Sequence, residues 1–131
     1  LNAMYSVYYD ESERQAIKNL FDSSINQNYE DYREILYTPE YEYFCKRPPI
    51  KNCKYDPNKE FSGPRDTSRD TMKLLDRSPK SSNRAMLMIL YQIRCNLFHG
   101  NKSFGDSNDQ EIMKNAAELL LHYNLIFAKQ L

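Results

Sequence analysis

The chain has 131 residues and carries eighteen basic and eighteen acidic side chains, so its formal net charge is zero. This length favours a single domain that buries about two-thirds of its unfolded surface without disulfides or metal ions. No apolar run has the length of a membrane span, and no charged-then-apolar signal segment opens the chain. These features predict a cytoplasmic protein. Residues 1–3 precede Met4 and look like the remnant of an expression tag, so the predicted domain is 4–131.

The cysteine content argues against a disulfide framework and against a structural metal site. The three cysteines are an odd number, and Cys95 lies in an apolar stretch, which is typical of reduced thiols. Cys45 and Cys53 are too few to form a zinc site without distant histidine or acidic ligands. We therefore predict neither a metal ion nor a cofactor.

Charge is distributed unevenly along the chain. Residues 1–44 carry three basic and nine acidic side chains, whereas residues 45–84 carry eleven basic and five acidic ones. A basic central third indicates an anionic partner, and nucleic acid is one candidate. The alternative is that this third lies against the protein's own acidic N-terminal third, or against that of a second subunit.

Hydrophobic spacing predicts helices throughout the chain and no strand. In chain order they cover about 11–27, 29–37, 39–45, 66–78, 82–98 and 109–129. Their start signals are Asp10 with Glu13, Thr38 followed by Pro39, and Ser107 with Gln110. Residues 46–65 contain four of the six prolines and predict a long central loop. We expect an all-α, up-and-down helical bundle whose last two helices form an antiparallel hairpin.

The helix over 82–98 carries an arginine where its neighbours are apolar. On a helical wheel Arg94 falls between Leu87 and Leu90, inside an apolar sector that covers most of the circumference. Such a helix is central, and we expect it to pack its own bundle on one side and another surface, such as a second subunit, on the other. A buried arginine needs an anion, and Glu13 or Asp22 of the first helix would serve as a structural partner.

One of the two histidines ends the same helix. His99 lies about 7.5 Å beyond Arg94 along the helix axis, and Gly100 follows it as the residue that ends the helix. A histidine in this position often binds only the last carbonyl groups of its helix. Spacing alone therefore leaves both a structural and a functional explanation for the pair.

The stretch "IRCNLFHGNKSFGDSND", followed by a long apolar helix, resembles the HEPN superfamily of helical nucleotide- and RNA-acting domains. The resemblance covers roughly residues 82–128. It implies an up-and-down bundle, a homodimer and a composite cleft in which both copies of an arginine–histidine motif meet. Many such domains are metal-independent endoribonucleases, and several act as toxins in toxin–antitoxin or other defence systems. The resemblance makes Arg94 and His99 the catalytic candidates. Cys95 stands where many members have a polar residue, a role that Asn96 or the Cys95 thiol could fill.

The chemistry of the two side chains fits that activity. Histidine transfers protons near neutral pH, and the planar guanidinium of arginine binds phosphate with two donors. A dimer supplies two histidines, one acid and one base, and the expected products carry 2′,3′-cyclic phosphate ends. We predict Tyr91, Asn96, Lys102 and Ser103 as substrate-binding residues. The competing hypothesis is a non-catalytic module that binds a nucleotide, RNA or a protein such as an antitoxin through the basic 46–84 region.

Overall fold

The protein is all-α, as predicted. We analysed a computed structural model that describes the backbone of residues 2–59, 63–98 and 107–129, and the side chains from residue 12 onward except 60–62, 99–108 and 130–131. Within these ranges the helices are α1 (Asn2–Ser24), α2 (Tyr29–Ile35), α3 (Pro39–Lys46), α4 (Ser68–Leu74), α5 (Ser81–Phe98) and α6 (Ser107–Ala128). No helix of this described part is long and apolar enough to cross a membrane.

The start signals predicted from the sequence have different outcomes. Helix α1 begins at Asn2 and runs without a break past Asp10 and Glu13, so the predicted capping box at its start is wrong. The spacing of a capping box can also occur inside a helix, where the backbone N–H groups are already bonded to carbonyls one turn earlier. The start of α3 is confirmed, because Thr38 accepts a hydrogen bond from the Tyr41 amide and Pro39 occupies the first helical position.

Helices α5 and α6 contact each other near both ends of α5. Near the start of α5, Asn83 accepts a 2.7 Å hydrogen bond from the hydroxyl of Tyr123, which lies near the end of α6. At the opposite end, side chains of both helices line a small cavity of about 30 Å³ beside Ile50. The cavity lining includes Ile93 of α5 and Ile112 of α6, so the beginning of α6 lies near the end of α5. The up-and-down arrangement of the whole bundle stays a prediction.

Helix α5 is the centre of the core. Every side chain from Ala85 to Ile93 is buried, and α4 and α1 pack along the helix. Helices of the same chain thus cover this part of α5, and a contact of α5 with a second subunit stays a prediction. On α6, Leu119 is buried, whereas the neighbouring Leu120 is 42% exposed.

Part of the basic central third pairs with the acidic N-terminal third of the same chain. Arg77 forms an ion pair with Glu42 of α3 and donates a hydrogen bond to the carbonyl of Leu36. Arg84 of α5 lies 3.5 Å from the carboxylate of Asp22 in α1. Lys46 also lies 3.7 Å from Glu42, so the intramolecular explanation is favoured for at least three of the eleven basic residues in this third.

Candidate functional site

Arg94 lies four residues before the end of α5 and is exposed rather than buried. Its side chain is 51% exposed, and Nη1 lies 3.1 Å from Oε2 of Glu13 in α1. The prediction of a buried arginine is wrong because α1 covers the neighbouring part of α5 and leaves the guanidinium at the surface. Of the two acidic partners suggested by the sequence, Glu13 is the one that pairs with Arg94, and Asp22 pairs with Arg84 instead.

Two aromatic side chains of α5 flank the Arg94 guanidinium. The guanidinium carbon lies 5.8 Å from the ring centroid of Tyr91 and 4.8 Å from that of Phe98. Positions 91, 94 and 98 are three and four residues apart, so they share one face of the helix. Cation–π contacts of this kind hold the guanidinium in place while its outer nitrogen atoms remain accessible. The predicted residue Tyr91 thus lies beside Arg94.

Glu13 joins the same cluster through two donors. The hydroxyl of Tyr91 donates a 2.6 Å hydrogen bond to Oε2 of Glu13, the oxygen atom that also accepts from Arg94. The ring of Tyr91 is buried, so its hydroxyl group is held in a fixed position. The sequence suggests Glu13 as an ion-pair partner of Arg94, but it gives no indication of the hydrogen bond from Tyr91.

Arg14 is a second arginine at the same ring, and sequence reasoning missed it. Its guanidinium carbon lies 4.7 Å from the centroid of the Tyr91 ring, and Nη2 donates a 2.8 Å hydrogen bond to Oε1 of Gln92. Burial raises the pKa of Asp70 in α4, and the positive charges of Lys73, Lys18 and Arg14 lower it. Arg14 therefore contributes positive charge both at the Tyr91 ring and near Asp70. The only indication in the sequence is that it directly follows Glu13.

Asn96 is buried beneath the central loop. It is 2% exposed, its Nδ2 donates a 2.7 Å hydrogen bond to the carbonyl of Lys51, and its Oδ1 accepts from the amide of Cys53. Oδ1 also accepts a 2.9 Å bond from Gln92. These bonds make Asn96 an anchor for the loop. The predicted contact between Asn96 and a substrate would require the loop to move away.

The central loop also contacts the polar side of α5 through Asn52. Asn52 lies 3.5 Å from Nε2 of Gln92, and its Nδ2 donates to the carbonyl of Pro64 across the loop. An isolated antiparallel bridge between Lys51 and Asp66 joins the two arms of the loop. The described residues of the long loop predicted from proline content thus contact α5 and cover part of it. Its amide contacts, like all contacts between residues distant in the chain, could not be read from the sequence.

The remaining predicted site residues fall into two groups. His99, Lys102 and Ser103 lie outside the described residues, so their predicted roles stay predictions. Cys95, which stands where the resemblance expects a polar residue, is buried in α5 beside Arg94. The site that the structure describes is therefore a cluster of Arg94, Tyr91, Glu13 and Arg14, with Phe98 at its edge.

Neither a metal site nor a similarity to known proteins assigns a function to this cluster. Among the side chains that the structure describes, no group of three or more histidine, cysteine, aspartate or glutamate residues could hold a metal ion. In comparisons with known proteins, no family model matches the chain, and no curated protein or solved structure is significantly similar to it.

Proposed function

We propose that this protein is a metal-independent endoribonuclease of the HEPN type that acts as a homodimer, with Arg94 and His99 as its catalytic residues. The observation that carries the proposal is the position of Arg94. Its guanidinium is half exposed at the end of α5 and is held between two aromatic rings. A guanidinium presented in this way can bind a phosphate group with two parallel hydrogen bonds.

The proposed reaction needs two proton transfers and one charge stabilisation. A histidine removes the proton of the 2′-hydroxyl, which attacks the adjacent phosphorus, and a second histidine protonates the departing 5′-oxygen. Arg94 stabilises the negative charge that develops on the phosphorane oxygens. His99 follows Arg94 by five residues in the sequence and is the nearest histidine along the chain.

The homodimer supplies the second histidine. Phe98 directly precedes His99, and its side chain is 74% exposed although it is large and apolar. Because the rest of α5 is covered by its own chain, we propose that the second copy contacts only this end of the helix. Two arginine–histidine motifs would then meet in one cleft. Following the resemblance, we further propose a role as a cytoplasmic toxin or defence component, held in check by an antitoxin protein.

The proposal is tested by RNA cleavage in the presence of EDTA. Wild type, Arg94→Ala and His99→Ala are incubated with total RNA, and the ends of the fragments are mapped. We expect cleavage by the wild type only, with 2′,3′-cyclic phosphate ends and a loss of at least about 100-fold in rate in both variants. Arg84→Ala is the matched control, because Arg84 is another partly exposed arginine of α5 that pairs with an acidic residue of α1.

The control variant should cleave RNA at the wild-type rate. Full activity of the Arg94 and His99 variants would refute the assignment of the two residues. Absence of cleavage by a folded wild-type dimer over a broad set of RNAs would refute the enzymatic proposal itself.

One observation favours a second candidate function, a non-catalytic module that binds a nucleotide, RNA or a protein partner. Arg94 already has a carboxylate partner, Glu13, within its own chain. This is the arrangement expected where an arginine stabilises the fold and does not act on a substrate. The module would bind its partner through the basic 46–84 region, and it would bind RNA without changing its length.

A further inference from the structure

The Glu13 carboxylate is bound in a way that suits a different anion. A single oxygen atom, Oε2, accepts from the Tyr91 hydroxyl at 2.6 Å and from Arg94 Nη1 at 3.1 Å. Arg14 lies over the same Tyr91 ring and adds a second positive charge close by. Two converging donors and two guanidinium groups are the elements from which proteins build phosphate sites.

We propose that Glu13 occupies a phosphate-binding position formed by Arg94 and the Tyr91 hydroxyl, and that a backbone phosphate of single-stranded nucleic acid displaces it on binding. In this arrangement Oε2 of Glu13 holds the place of a phosphate oxygen. Arg14 attracts the same phosphate or its neighbour along the strand. The identification of the ligand as RNA rests on the proposed function, whereas the displacement of Glu13 by a phosphodiester does not.

The exposure of the ion pair allows this exchange. The Arg94 side chain is 51% exposed and that of Glu13 is 24% exposed, and such pairs are weakly held because water competes for both partners. Glu13 can turn away about its own side-chain bonds while α1 stays in place. The buried ring of Tyr91 keeps its hydroxyl in position for the incoming phosphate.

Glu13 therefore lowers the affinity of the site for anions. A phosphate must displace the carboxylate from the Tyr91 hydroxyl and from Arg94. It must also bind while the negative charge of Glu13 remains nearby. Removal of that charge, with the hydrogen-bonding atoms retained, should tighten binding without rearranging the cluster. Glu13→Gln is that change, since the amide oxygen of glutamine can still accept from Tyr91.

The chain offers a matched control between the same two helices. Asp22 and Arg84 also pair α1 with α5, at 3.5 Å, with side chains that are 41% and 42% exposed. No hydroxyl donor shares the Asp22 carboxylate in that pair, and Arg84 stacks on no aromatic ring among the described side chains. Asp22→Asn removes the same charge from α1 and leaves the proposed site intact.

The probe is a fluorescein-labelled single-stranded oligodeoxyribonucleotide, whose binding is followed by fluorescence anisotropy at low salt. It lacks the 2′-hydroxyl, so the proposed endonuclease cannot cleave it. We expect Glu13→Gln to lower the Kd about fivefold relative to wild type. Asp22→Asn should leave the Kd unchanged within twofold, and Glu13→Gln with Arg94→Ala should lose the whole gain. Circular dichroism checks that every variant keeps its helix content.

Three outcomes would overturn the inference. They are an equal or higher Kd for Glu13→Gln, an equal gain in Asp22→Asn, and no binding by either wild type or Glu13→Gln. RNA cleavage is scored separately on the same proteins. Tighter binding by Glu13→Gln with no cleavage would support the phosphate site and reject the nuclease. Cleavage with unaltered binding would reject the displacement of Glu13 alone.

Discussion

Replacement of Asn96 by alanine tests whether this residue holds the central loop or contacts a substrate. The change removes three hydrogen bonds of the Asn96 side chain. This side chain donates to the Lys51 carbonyl and accepts from the Cys53 amide and from Gln92. Each lost hydrogen bond costs about 1 kcal/mol, and a buried group left without a partner costs more. We expect the free energy of unfolding to fall by about 2–4 kcal/mol, and the Tm by about 10 °C for a domain of this size.

Urea unfolding followed by circular dichroism measures this change, and amide hydrogen exchange shows where it acts. In the variant, the backbone amides of 50–67 should exchange faster, because this segment loses its anchor on α5. Asn115→Ala is the control. Asn115 also lies within a helix, but its side chain donates only to the carbonyl of Glu111 one turn earlier. Alanine is the better helix former there, so stability should change by less than about 0.5 kcal/mol.

A loss of less than about 0.5 kcal/mol in Asn96→Ala, within the range of ordinary surface substitutions, would refute the anchoring role if loop exchange also stays unaltered. If that variant instead lost RNA cleavage at unchanged stability, Asn96 would be a substrate contact, as the sequence predicted.

Two further predictions concern pH and the loop. Burial raises the pKa of Tyr41 from its ordinary value of 10.0 to about 12. The unfolded chain therefore loses this proton first, and stability should fall above pH 10 by up to about 1.4 kcal/mol per pH unit. Burial also raises the pKa of Tyr32 and of Tyr123, so the slope should persist in part without Tyr41. Urea titrations between pH 9 and 11 should therefore show a smaller slope for Tyr41→Phe than for wild type; equal slopes would contradict the assignment. Gly63 has a φ of 82°, and an added Cβ would lie 3.3 Å from Nδ2 of Asn52. Gly63→Ala should cost about 1 kcal/mol in urea unfolding, and an unchanged midpoint would show that the turn adapts.

The site was predicted unevenly, and the reasons are physical. The helical wheel of the 82–98 segment identified a central helix, because the spacing of apolar residues along a helix shows how much of its circumference is buried. It misplaced Arg94 because the aliphatic part of an arginine side chain can pack on apolar neighbours while its guanidinium reaches the surface. It did not show how far the chain itself covers α5: α4, which directly precedes α5, and α1, which is distant in the sequence, both pack along it.

The sequence by itself determined that the chain is helical, where most helices lie and which of them is central. These properties follow from periodicity, capping residues and proline placement, all of which act over a few residues. Only the tertiary structure decided that Glu13 and Tyr91 meet Arg94, that Arg14 joins them, and that Gln92 and Asn96 hold the central loop. Such contacts join residues forty or more positions apart. They depend on how whole helices pack, and a single sequence carries no local record of that packing.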